Sequence, residues 1–138
     1  MRESNASKEK RALQAVVAVC SLVPIAAGAG GILLGPAFLG NPVVDSPDLD
    51  GHFRYLSGLL MGIGLAYAFA VPGIERRRKR FILLGGIVIL GGLGRLVSML
   101  KMGAPPPIMI GALAMELLVV PVITLWQIHL SRYTSSRF

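Results

Sequence analysis

Apolar residues along this chain come in long unbroken runs, and the polar residues gather in the gaps between them. Four runs stand out, at approximately 13–34, 55–74, 81–100 and 108–130. The hydrocarbon core of a bilayer is roughly 30 Å thick, and a helix rising about 1.5 Å per residue crosses it in about 20 residues. Each run is long enough. None shows the two-residue alternation of a membrane barrel strand, and each is about twice as long as such a strand needs. The pattern predicts an all-α protein: an integral membrane four-helix bundle forming one domain over 1–138, with its longest connection at 35–54.

Composition strengthens this reading. Of the 138 residues, 54% are hydrophobic and 15% charged, and the mean hydropathy of +0.67 is far above that of a water-soluble domain. The charges are placed unevenly. Arg2, Lys8, Lys10 and Arg11 precede the first run, "ERRRKR" (Glu75–Arg80) joins the second to the third, and Arg132 and Arg137 follow the fourth. The other two connections hold only Arg54 and Lys101 as basic residues, and the first of them carries Asp45, Asp48 and Asp50. Basic residues are retained on the cytoplasmic side, so both termini and the middle connection are expected there and 35–54 outside. The same rule accounts for the net charge of +7 without a nucleic-acid partner, because these cations are not interleaved with stacking aromatics. Arg76, Arg77, Arg78, Lys79 and Arg80 are also candidates for holding anionic lipid headgroups.

The stretch "KEKRALQAVVAVCSLVPIAAGAG" has the make-up of a signal peptide, but its apolar run continues through "GILLG", longer than such a segment needs. A retained first helix is the expectation. Cys20 is the one cysteine, so there is no disulfide framework and no CxxC pair; it reads as a small packing residue.

In lipid, helices associate through small residues that let backbones approach. Ladders of this kind fall at Gly58, Gly62, Ala66 and Ala70, at Ala27, Gly31 and Gly35, and at Gly86, Gly94 and Ser98. The simplest reading is packing within one chain, and the sharper one is a homodimer or a larger membrane complex through one of these faces. Pro24 and Pro121 lie inside helical runs and predict a bend or a loosened turn. The absence of a convincing internal repeat counts against an inverted-repeat transporter.

One arginine stands in the greasy run "ILGGLGRLVSML" (Ile89–Leu100), and the turn "KMGAPPP" after it is short and stiff enough to make the third and fourth helices antiparallel neighbours. Arg95 then sits roughly 7 to 8 Å below the outer end of its helix and Glu116 roughly 12 Å below the same surface. An ion pair is predicted. Each charge alone would cost on the order of 2.5 to 3.5 kcal/mol at a helix centre. The pair is either a clasp between two helices or the floor of a polar pocket open to the outer leaflet.

The segment "DLDGHFRYLSG" adds His52, Arg54 and Ser57 at the mouth, and the spacing allows Arg54 to hang over Glu116, an arrangement suited to an anionic ligand. His52 with Asp48 and Asp50 is a weak metal pattern, one imidazole among loop carboxylates, so neither a metal nor another cofactor is expected. His129, beside Trp126 and Tyr133, reads as part of an interfacial belt. HExxH, a nucleophile elbow and a phosphate-binding glycine loop are all missing, and the chain is not expected to be an enzyme; an enzymatic reading would need His52 to converge with Glu116.

Three blocks, "HFRYLSGLLMGIGLAYAFAVPGIERR" (His52–Arg77), "LGGLGRLVSML" (Leu90–Leu100) and "ELLVVPVITLWQ" (Glu116–Gln127), together resemble a bacterial inner-membrane family known as domain of unknown function 4345. The resemblance implies a small four-helix protein of the bacterial cytoplasmic (inner) membrane, with recurring polar positions at His52, Arg54, Arg95 and Glu116. It implies no activity. A similarity to DoxX-like membrane proteins is architectural only. The expected function is non-catalytic: binding or passing a small amphiphile such as a lipid, quinone or organic acid at His52, Arg54, Ser57, Arg95 and Glu116. The alternative is an accessory subunit of a larger membrane complex, in which the Arg95–Glu116 pair is purely structural.

Overall fold

The computed structural model describes residues 2–40 and 46–135, with side chains for 7–40 and 46–133. Asp45 and Arg137 lie outside the described residues. All regular structure among the described residues is helical, in line with the run lengths. The elements are α1 (Arg2–Leu34), α2 (Pro47–Ala68), α3 (Arg78–Met102), α4 (Pro107–Ala114) and α5 (Val120–Ser135). A π-helical segment, Met115–Val119, joins α4 to α5 in one rod, and short 3-10 turns occupy Gly35–Leu39 and Ile74–Arg76. Three stretches are long and apolar enough to cross a membrane: Ser7–Leu39, Arg78–Met102 and Pro107–Tyr133.

Two boundaries differ from the sequence expectation. α1 begins at Arg2 rather than near residue 13, because its polar first turns find partners: Trp126 Nε1 donates to Glu9 Oε1 at 3.0 Å and Lys10 Nζ lies 3.1 Å from Glu75 Oε1. α2 spans Pro47–Ala68 rather than 55–74. Its start is set by local chemistry instead of hydropathy. Ser46 caps the helix by accepting from the Leu49 N–H at 3.4 Å, Pro47 occupies the first turn where a missing N–H is harmless, and Asp48 and Asp50 complement the positive helix end. Its end follows from Pro72, which cannot continue a helix and disfavours helical geometry at Val71. With four polar or charged residues in its first two turns, α2 is not among the stretches apolar enough to span by composition.

The chain divides into two compact units. In the unit of residues 15–71, α1 and α2 meet through glycines. A Cβ on Gly28 would stand 2.6 Å from the Met61 nitrogen and the Ser57 carbonyl, and one on Gly64 would stand 2.7 Å from Ile25 Cγ1. Backbone contact this close admits only glycine. Gly31 also belongs to this seam, against Ser57 and Phe53.

The other unit joins residues up to Gln14 with those from Pro72 onward. Its packed core contains Leu13, Ile74, Phe81, Leu84, Ile123 and Leu130. Gln127, fully buried there, donates through Nε2 to the Ile74 carbonyl at 2.7 Å and to Ser131 Oγ at 2.8 Å. A side-chain amide thus fastens the 3-10 turn to α5. Toward the other end of α3 the seam is again made by glycines, with a Cβ on Gly85 falling 2.6 Å from Thr124 Oγ1 and one on Gly92 falling 2.8 Å from Leu117 Cδ2 and 2.9 Å from Glu116 Cβ. By contrast, nothing lies within 4 Å of a Cβ on Gly62, Gly86 or Gly94, and Gly58 meets only Ile32 Cδ1 at 3.9 Å. Gly62, Gly86 and Gly94 are therefore not at these seams.

Candidate functional site

Arg95 and Glu116 meet as predicted. Nε donates to Glu116 Oε2 and Nη2 to Oε1, both at 3.0 Å, a fork-to-fork geometry that fixes both groups. The side chains are 29% and 16% exposed. Two features of the helices bring them together. Gly92, one turn before Arg95 on the same face, removes the side chain that would hold α3 away from Glu116. Glu116 itself lies in the π-helical segment, where the Val120 N–H reaches back to the Met115 carbonyl. Pro121 accounts for this widened turn: its ring would clash with the Leu117 carbonyl in a regular helix, and its nitrogen has no hydrogen to donate. The expected bend at Pro121 is thus a π segment that carries the acid.

Beyond the pair, α3 and α4 diverge. A half-open cleft of about 500 Å³ lies against Arg95, with Gly91, Ser98, Met99 and Met102 on the α3 side, the Gly103–Pro105 turn at the end, and Met109 opposite. Arg95 Nη1 donates to the Met109 sulfur at 3.4 Å. A guanidinium has five N–H donors, so hydrogen-bonding capacity remains after Glu116 and Met109 are served. The walls are thioether and alkyl, and the floor is cationic but charge-balanced. Sequence reading missed Gly91, Ser98, Met99, Met102 and Met109. Their signal was the spacing of 95, 98, 99 and 102 on one helix face, and of 109 and 116 on the other, across a turn already known to be short.

Arg54 is bound within the unit of residues 15–71. Its Nε donates to Asp50 Oδ2 at 2.7 Å and its Nη2 to Oδ1 at 3.2 Å, while Nη1 donates to the carbonyls of Ile32 and Leu33. Those carbonyls belong to the last turn of α1, where no intrahelical partner exists, and a cation there is favoured by the helix dipole. Gly35, at φ +61°, ends the helix in a left-handed conformation, and a Cβ on it would fall 2.5 Å from Asp50 Oδ1. The guanidinium beside Asp50, through its hydrogen bonds and charge, holds that carboxyl below the usual range. Arg54 is therefore held at the end of α1 by these partners.

Ser57 is buried against α1, its Oγ donating to the Phe53 carbonyl at 2.8 Å, and serves packing. His52 is exposed. Among the described residues no three of His, Cys, Asp and Glu gather in one place. His129 packs edge-on to Tyr133, ring centroids 4.7 Å apart, as an interfacial belt residue would.

Helices this long and apolar, two of them tied by an internal ion pair, define a small multi-pass helical membrane protein. The family model described as "Domain of unknown function (DUF4345)" matches residues 12–127, a span that holds Asp50, Arg54, Arg95 and Glu116, and the chain belongs to that family. No curated protein and no solved structure matches it.

Proposed function

We propose that this is a non-catalytic protein of the bacterial inner membrane that binds or passes a small anionic amphiphile, a lipid or an organic acid, in the cleft over Arg95. The observation that carries the reading is a half-open cleft with methionine walls ending on a guanidinium whose donors are not exhausted by Glu116. An apolar body would lie along Met99, Met102 and Met109, and an acidic headgroup would accept from Arg95 and Ser98. Glu116 holds the guanidinium in place and cancels its charge when the cleft is empty, which makes an otherwise costly cation tolerable at this depth. Charge placement puts the mouth of the cleft at the outer face.

Native mass spectrometry of the gently extracted protein, with decanoate as the probe, tests this. Gly91 lines the cleft and a Cβ on it meets nothing within 4 Å, so Gly91→Phe can enter the cleft with no clash at its Cβ. Wild type should retain decanoate and Gly91→Phe should lose it at unchanged thermal stability; equal retention by both would overturn the reading. An accessory role in a larger assembly is favoured by a different observation, the glycines at 62, 86 and 94 on which nothing packs. A mass corresponding to an assembly, lost on Gly86→Leu, would support that role.

A further inference from the structure

The cytoplasmic-side turn contains a division of labour that composition does not reveal. Glu75, the one acid of "ERRRKR", is turned inward with its side chain 14% exposed and is bound to Lys10. Next to it, the Ile74 carbonyl is fastened by the buried amide of Gln127. The turn is thereby held rigidly. All five residues from Arg76 to Arg80 remain exposed, and none forms an ion pair with a described residue. Arg78, Lys79 and Arg80 moreover form the first turn of α3, where the helix dipole is positive and cations are unfavourable. Local helix stability therefore does not favour this placement, and an anionic surface would offset it. Trp126 and Tyr133 belong to the same unit, where interfacial aromatics mark headgroup depth.

We infer that Arg76–Arg80, presented by a turn pinned through Ile74 and Glu75, form a docking surface for phospholipids with net negative headgroups. Loss of the acid to Lys10 leaves the surface uniformly positive, and anchoring of the turn spares the ordering cost that a flexible basic loop would meet on binding. The attraction is electrostatic at an exposed surface, so it falls with ionic strength. This site is separate from the cleft over Arg95 and does not depend on what the cleft binds.

The test uses the full-length protein in detergent, titrated with phosphatidylglycerol or phosphatidylcholine and read by native mass spectrometry. Wild type should hold phosphatidylglycerol about tenfold more tightly, in keeping with a surface of several basic residues. The triple variant Arg78→Gln, Lys79→Gln, Arg80→Gln should lose that preference, whereas Lys101→Gln should keep it. Neutralising the turn also weakens a topogenic signal, so an all-lysine turn (Arg76→Lys, Arg77→Lys, Arg78→Lys and Arg80→Lys) gives a second readout that preserves orientation. It should retain the preference, and raised salt should abolish it. Equal binding of the two lipids by wild type, or a preference surviving the triple variant, would overturn the inference. Displacement of phosphatidylglycerol by an equal concentration of inorganic phosphate would overturn it in favour of a soluble anion.

Discussion

At the scale of single residues, two arginines are held by carboxylates, one half-buried between helices and one at an exposed helix end. Arg95 is answered by a carboxylate from the next helix, Arg54 by a carboxylate one turn earlier on its own helix together with the end of α1. The consequence for Arg95 is measurable. Arg95→Ala and Glu116→Ala should each destabilise the protein by about 2 to 4 kcal/mol, since each leaves a charge unpaired, and the double variant should lose less than the sum. Unfolding of the four proteins in detergent gives the coupling energy; simple additivity would mean the pair contributes nothing. The glycines make a second contrast. Gly92→Leu forces α3 away from Leu117 and Glu116 and should cost about 1 to 3 kcal/mol, whereas Gly86→Leu meets open space and should stay within about 0.5 kcal/mol of wild type. These two glycines look alike in the string "GGIVILGGLG". What separates them is which face of α3 each occupies.

At the scale of elements, proline and the helix ends decide the geometry. The π segment inserts one extra residue per turn before Pro121, which rotates Glu116 by about 100° relative to α5 compared with a regular helix. Pro121→Ala removes the clash and restores the missing N–H. It should favour regular helix through 115–119, and the Arg95–Glu116 coupling energy measured in that background should fall toward zero. Elsewhere, the Asp50–Arg54 clasp makes the end of α1 sensitive to acid. Asp50 has its carboxyl lowered in the folded state, so its contribution is fully present above the ordinary carboxylate value and is lost as pH falls through the lowered one. An acid titration of wild type against Asp50→Asn should show the wild-type advantage fading as pH falls through the lowered Asp50 value.

The starting point of α2 shows how such elements are read. Hydropathy alone places it at Tyr55, yet Ser46, Pro47, Asp48 and Asp50 together form a helix start that was visible in the sequence. The hydrophobic run located the membrane, and the capping residues located the helix.

At the scale of the whole molecule, charge and packing are both graded. In the unit formed by residues up to Gln14 and from Pro72 onward, Leu13, Ile74, Phe81, Ile123, Gln127 and Leu130 close the basic-turn end, while α4 buries no residue. Amide hydrogen exchange in detergent should therefore be at least about tenfold faster in α4 than around Ile123 to Leu130, because few contacts resist local opening there. The proposed cleft lies at the loose end and the basic turn at the tight one.

Several properties of this protein were determined by sequence alone: four long helical rods, the membrane-crossing length and apolarity of three of them, and the pairing of Arg95 with Glu116. Each follows from run length, from the cost of an unpaired charge in hydrocarbon, or from a turn too short for any other neighbour. The tertiary structure decided which glycines form the seams, that Arg54 bonds the end of α1, that Ser57 packs against α1, and that methionines line a cleft beside Arg95. The reason is physical. Burial along a helix is set by rotation about its axis, and in a segment apolar on every side hydropathy has no preferred face, so only contact with a neighbour tells the inside from the lipid.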